Sequence, residues 1–238
     1  MAGNSGGAPL VISSDQKHKP AGFIDAISQI ERNNELERQG SDIPKRLFTT
    51  GQKLEFWEVG CRSTLWSGII SILITPLAIG VIERMIPVFG STNPSTGDQL
   101  LALLLAASFA IGYAFFLGRI GMLYDGQYTR IMIRSFLNGV FMSGIFKIIF
   151  AMIFYHTLAF AVFTEARLSR ILLLFRNKWF SVPMTTLNSW YSFLLDFKDV
   201  LIISAYFIAL TTTIYISVPY ICIMVKQWKN RKYSFECE

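Results

Sequence analysis

The chain has 238 residues, 52% hydrophobic and only 16% charged, with 22 Lys+Arg against 16 Asp+Glu and a formal net charge of +6. A soluble domain carries about 25% charged residues. A mean hydropathy of +0.42 leaves too little polar surface to cover a globule of this size, which argues against a cytosolic enzyme, a disordered chain and a highly charged nucleic-acid-binding one.

Residues 1–62 contain eight basic and eight acidic residues, so this polar segment is neutral and the excess positive charge lies in the rest of the chain. Residues 1–8 are Gly-rich and expected to be disordered. Residues 1–22 contain no apolar core of a signal peptide, so the first apolar span is expected to act as its own insertion signal. From Phe23 onward, Phe23, Ile24, Ile27 and Ile30 recur at three- and four-residue spacing, which predicts a short amphipathic helix stopping near Arg38 and Gly40. Its polar face carries Asp25, Glu31, Arg32, Glu35 and Glu37. Acidic rather than Lys-rich, this face is poorly suited to anionic lipid. Four apolar residues cannot form a core alone. Phe23, Ile27 and Ile30 are therefore expected to dock either on the protein's own membrane base or on another protein. Residues 54–59, with Phe56 and Trp57, read as an interfacial run-in to the membrane.

Three stretches contain no charge: 63–82, 99–118 and 200–225. About 20 apolar residues cross the roughly 30 Å of hydrocarbon as a helix, and all three qualify. A fourth span, 136–164, is apolar except for Asn138, Lys147 and His156. Either it is one long tilted helix, or the membrane portion starts near Gly144 and Lys147 sits at the boundary, where its stem carries the ammonium to headgroups. Backbone groups find no water in hydrocarbon, so continuously apolar runs must cross as helices. Pro76 and Pro219 fall inside spans and require a neighbour to satisfy the carbonyl each one frees.

Lys45, Arg46, Lys53 and Arg62 precede the first span; Arg119, Arg130 and Arg134 follow the second; Lys226, Lys229, Arg231 and Lys232 follow the last, while the loop 83–98 has only Arg84. The positive-inside rule then places both termini and the middle loop in the cytoplasm. Residues 165–199 fall outside yet carry five basic residues mixed with Trp179, Phe180, Trp190, Tyr191, Phe193 and Phe197. That mixture suits a helix in the headgroup layer, with a re-entrant or partner-binding element as the other reading. Trp179 and Trp190 are its candidate contacts.

The spans contain no Asp or Glu, so no catalytic constellation, cofactor or metal site is expected, and the chain is read as not an enzyme. Cys61, Cys222 and Cys237 form no CxxC pair. An ionisable residue at membrane depth is a functional candidate by default, which singles out Lys147 and His156. Nine residues apart, they point to opposite sides of one helix. For His156 the favoured reading is a neutral imidazole bonded within the bundle or near the far interface. Thr211, Thr212, Thr213, Ser204 and Ser217 give the last span polar handles, and Thr212 is the pore-lining candidate. Ala106 with Ala110, Ser108 with Gly112, and Gly139 with Ser143 are small pairs that let helices approach closely.

The expected fold is all-α: a polytopic four-helix transmembrane bundle with a cytoplasmic amphipathic helix, an interfacial helical loop between spans three and four, and a basic tail at 226–238. The expected function is that of a non-catalytic integral membrane subunit or accessory factor of a membrane complex, related to secretion, conjugation or the envelope. The alternative is an oligomeric channel or transporter subunit with a Thr/Ser-lined pore. Expected partners are the lipid bilayer and other membrane proteins or further copies of itself, without nucleic acid. The expected location is a bacterial inner membrane, weakly favoured by the lack of a permissive Asn-x-Ser/Thr acceptor.

Overall fold

The structure, a computed structural model, describes residues 20–40, 49–88, 96–178 and 183–236, with side chains described at 20–40, 49–80, 107–108, 110–177 and 183–230. The Gly-rich opening, His18, Trp179, Phe180 and Cys237 lie outside the described residues. The described residues form helices, with no strand among them: α1 (Phe23–Arg38), α2 (Thr50–Val88), α3 (Thr96–Met122), α4 (Gln127–Thr157, continued by a π-helical turn Leu158–Val162), α5 (Glu165–Lys178) and α6 (Met184–Glu236). Three are long and apolar enough to cross a membrane, over Thr50–Gly80, Gln127–Val162 and Met184–Asn230.

The short α1 ends as its sequence directs. Gly40 adopts φ +69°, a left-handed conformation that glycine takes without steric penalty, and its N–H bonds the Glu37 carbonyl at 3.1 Å. The helix seats Ala26 and Ile30, both fully buried, with Phe23 and Ile27 beside them, against α2, α3 and α4. Phe23 stacks near Tyr113 at 5.4 Å and Phe136 at 5.9 Å between ring centres. Of the two expected docking targets, the protein's own helices are the ones occupied.

Close approaches fix the direction of each helix. Gly60 and Gly139 have no room for a Cβ, because one at Gly60 would overlap the Phe136 carbonyl and one at Gly139 the Trp57 carbonyl. With Gly68 against Lys147 further along, α2 and α4 run parallel. Gly118 meets Val218 and Gly121 meets Pro219 and Cys222, so α3 and α6 are also parallel. Phe141 pairs with Tyr220, and His156 with Tyr206, so α6 runs against α4. Consequently the start of α2, the α3–α4 turn and the end of α6 lie at one end of the bundle, hereafter the base, together with α1.

The helix α2 continues through Pro76, whose missing N–H leaves the Ile72 carbonyl without its helical donor. The Tyr155 hydroxyl of α4 donates to that carbonyl. An apolar cluster around Ile72, Ala151, Tyr155, Leu201, Ala205 and Ile208 holds this part together.

One expected boundary differs and one helix is longer than its apolar run. α4 is a continuous helix from Gln127, with Lys147 20 residues along it, about 30 Å from its start and about 22 Å from Val162 at 1.5 Å per residue. The segment 165–199 is helical, but its second half is no separate loop helix; it is the beginning of α6, which runs unbroken for 53 residues, about 80 Å. The residues beyond Val200 carry the apolar run, and the 16 before it pair with α5 through Leu168, Leu172 and Leu187, supported by Tyr191, Leu194 and Leu195. Lys198 and Asp199 mark the junction of the two parts, yet the helix runs through them because side-chain charge does not interrupt backbone hydrogen bonding.

Candidate functional site

The polar content of the bundle is concentrated in one layer. On α2, Ser63, Ser67, Ser71 and Thr75 recur every fourth residue, which puts their hydroxyls on one face of the helix. Opposite them stand Ser108 and Tyr113 of α3, Lys147 of α4, and Thr211 and Tyr215 of α6. Apart from Ser63, these residues together with Ile70, Ile74, Ala78, Ala110 and Phe207 line a partly open cavity of about 270 Å³. The space exists because α3 packs against α6 rather than closing on this stretch of α2.

Lys147 is 6% exposed, and its methylenes lie across Gly68, 3.2 Å from where a Cβ would stand. The missing side chain at 68 leaves the stem room to pass into the cavity. The ammonium sits 5.4 Å from the centre of the Tyr215 ring. Among the described residues no carboxylate is within ion-pair distance of it. Below it, Tyr113 closes the floor: its hydroxyl is 3.1 Å from Ser63 Oγ and 3.3 Å from Thr64 Oγ1, its ring meets Tyr215 edge-on at 5.2 Å, and Phe23 of α1 covers its other side. Ser67 Oγ donates to the Thr64 carbonyl and Thr211 Oγ1 to the Phe207 carbonyl, so both oxygens keep only acceptor capacity toward the cavity.

The other intramembrane candidates are dispersed. His156 is half-buried, with Nδ1 2.9 Å from the Met152 carbonyl and its ring against Tyr206 and Phe160, away from the lysine. The structure does not bring His156 and Lys147 together. Thr212 is fully buried beside Gly144 but does not line the cavity, while Thr213 and Ser217 turn outward and bond their own helix at Ala209 and Thr213. Consecutive threonines on a helix point 100° apart, so the run on α6 does not make one lining face. The useful stripe is the one on α2, legible in the spacing Ser67, Ser71, Thr75, yet easily overlooked inside an apolar run. Trp190 is exposed on the α5–α6 hairpin, as are Ile171, Leu174 and Phe175.

A second polar group occupies the base. The α4 N-terminus begins after Gly126, which has no side chain to cap it. The Glu37 carboxylate of α1 takes that role: it accepts from the Tyr128 N–H at 2.8 Å, the Thr129 N–H at 3.0 Å and the Thr129 hydroxyl at 2.5 Å. Any side chain at 126 would collide with this carboxylate. An anion at a helix start also meets the positive end of the helix dipole. Alongside, Asp125 pairs with Arg38 of α1 at 2.8 Å and with Lys226 of α6 at 2.7 Å, and Arg119 of α3 pairs with Glu31 at 2.9 Å. Lys226 also donates to the terminal Met122 carbonyl of α3. Partial burial works to raise the Asp125 pKa, but the hydrogen bonds and charges of Lys226 and Arg38 outweigh it and hold the carboxyl below its ordinary value. Glu31 and Glu37, on the polar face of α1, fasten it to the bundle.

No three His, Cys, Asp or Glu side chains converge among the described residues, and Cys61 and Cys222 are free thiols. Comparison with protein families, curated proteins and solved structures found no match.

Proposed function

We propose that the chain is a non-catalytic integral membrane subunit or accessory factor, with α3 as a fourth crossing beside α2, α4 and α6, that works by assembling with other membrane proteins or with its own copies. The observation that carries this reading is the α5–α6 hairpin. Hydrocarbon and headgroups together measure about 45 Å, so α6, at about 80 Å, is far longer than a crossing needs. Its first 16 residues and α5 extend past the apolar run and still present Ile171, Leu174, Phe175, Met184 and Trp190 to the surroundings. Aromatic and large apolar residues outside hydrocarbon are the usual content of contact surfaces. In this reading the basic residues at the base favour both termini in the cytoplasm and the hairpin on the far side, despite the basic residues of 165–199; a bacterial inner membrane and a secretion, conjugation or envelope complex fit this layout.

Native mass spectrometry of the protein extracted in mild detergent tests the reading. A stoichiometric complex or homo-oligomer is expected, weakened by Leu174→Glu together with Phe175→Glu. A lone monomer under all extraction conditions overturns it. A reporter fused behind Glu238 tests the orientation, and activity on the far side would reverse it.

A second reading, a channel or transporter subunit, is favoured by the hydroxyl-lined cavity. Its lining would then come chiefly from Ser67, Ser71 and Thr75 of α2.

A further inference from the structure

We infer that the cavity between α2, α3 and α6 is a binding site for a small monovalent anion of carboxylate size, held by the Lys147 ammonium and the hydroxyls of Ser71 and Thr75. An ammonium removed from water loses its hydration and must recover it from an opposite charge or from hydrogen bonds. Lys147 is 6% exposed and has no ion-pair partner among the described residues. The Tyr215 ring at 5.4 Å recovers part of the loss by attraction to the π face. It cannot supply a hydrogen bond to the remaining N–H groups. The lysine also does not escape: its stem is threaded across Gly68 and directed inward, not along the helix toward headgroups.

The cavity fits the missing partner. At about 270 Å³ it has room for an anion with several waters, since each water occupies about 30 Å³ of liquid. Ser71 and Thr75 follow one another on the α2 face that borders it, and each hydroxyl carries a proton that an anion can accept. Ser67 and Thr211 have committed their protons to helix carbonyls, so they contribute acceptor oxygens suited to the waters beside the anion. Among the described residues no carboxylate lines the cavity to repel a negative ligand. The burial of the lysine and its course across Gly68 to the Tyr215 ring favour a free anion over a lipid headgroup. This assignment stands whether or not the chain belongs to a larger complex.

Equilibrium binding of radiolabelled acetate to the full chain in nanodiscs of zwitterionic phosphatidylcholine tests it. We expect saturable binding of one acetate per chain, competed by chloride. Lys147→Met, which keeps the length of the stem over Gly68, should weaken acetate binding at least tenfold. Ser71→Ala with Thr75→Val should weaken it several-fold, and Lys198→Met at the other end of the bundle should leave it unchanged. Absence of saturable acetate binding, or wild-type affinity in Lys147→Met, overturns the assignment. Loss of acetate binding when phosphatidylglycerol is added would assign the lysine to a lipid headgroup and likewise overturn it. Should Lys147→Met fail to fold, the Ser71/Thr75 variant and chloride competition decide, and unchanged affinity in the former is the overturning result.

Discussion

The base and the middle of this bundle treat charge in opposite ways. At the base, Glu31, Glu37, Arg38, Arg119, Asp125 and Lys226 come from three helices and a turn, and each finds an opposite charge or a helix end. In the middle, Lys147 is alone among hydroxyls and rings. Water still reaches the base and lowers the cost of holding charges there, so its pairs act mainly as locators. The middle offers no such relief. A charge retained there costs stability, and its retention is better explained by use than by structure.

That contrast predicts opposite signs for removing charge in the two places. The largest effect is expected from Lys147→Met, which relieves an uncompensated buried cation and should stabilise the protein by roughly 1–4 kcal/mol, the range seen when buried ions give way to apolar residues. Thermal unfolding in detergent without added anion reads this; a lower midpoint would show that the lysine is structurally compensated. Next, Tyr155→Phe leaves the Ile72 carbonyl unsatisfied beside Pro76 and should cost about 1–3 kcal/mol, whereas replacing Pro76 by Ala in that background should restore most of it. At the base, Glu37→Gln keeps the shape but removes the charge from the α4 start and should cost about 0.5–2 kcal/mol. Proteolysis near Gly40 would report the loosened α1.

Acid sharpens the comparison further. The Asp125 carboxyl is held below its ordinary value in the folded protein, so its contribution is complete above the unfolded pKa of about 3.9 and disappears as pH falls through the lower folded value. Asp125→Asn should abolish that part of the acid sensitivity, measured as the difference in unfolding midpoint between pH 6 and pH 3. The smallest effect belongs to Arg119→Gln. Its side chain is 62% exposed in the pair with Glu31, and such surface pairs are worth about 0–1 kcal/mol. A loss well beyond that would mean the base is a coupled network, not a set of separate contacts.

Much of this architecture could be read from charge spacing. Gaps in charge located the apolar stretches because hydrocarbon tolerates so little else, and the spacing of Phe23, Ile27 and Ile30 located α1 because one face of a helix must be buried. What stayed hidden depends on partners distant in the chain. Glu37 is indistinguishable from a solvated acid until the bare Gly126 end of α4 is placed beside it. Likewise, nothing in the residues around Tyr155 shows that its hydroxyl answers Pro76. The extent of α6 was missed for a different reason: charges at Lys198 and Asp199 end an apolar run without ending a helix, since hydrogen bonding along the backbone is indifferent to them. At the cavity, Lys147 was evident from chemistry alone, but the helix that completes the site is the one whose serines looked like minor interruptions.

Gly126 imposes an order of events. Its helix start has no cap of its own, and the carboxylate that supplies one is made some ninety residues earlier by the ribosome. The leading segment must therefore wait, exposed, until α4 emerges and inserts, and only then can it settle. What is synthesised first is seated last, so a truncation or early misfolding of the head should be felt as fraying of a membrane helix far downstream.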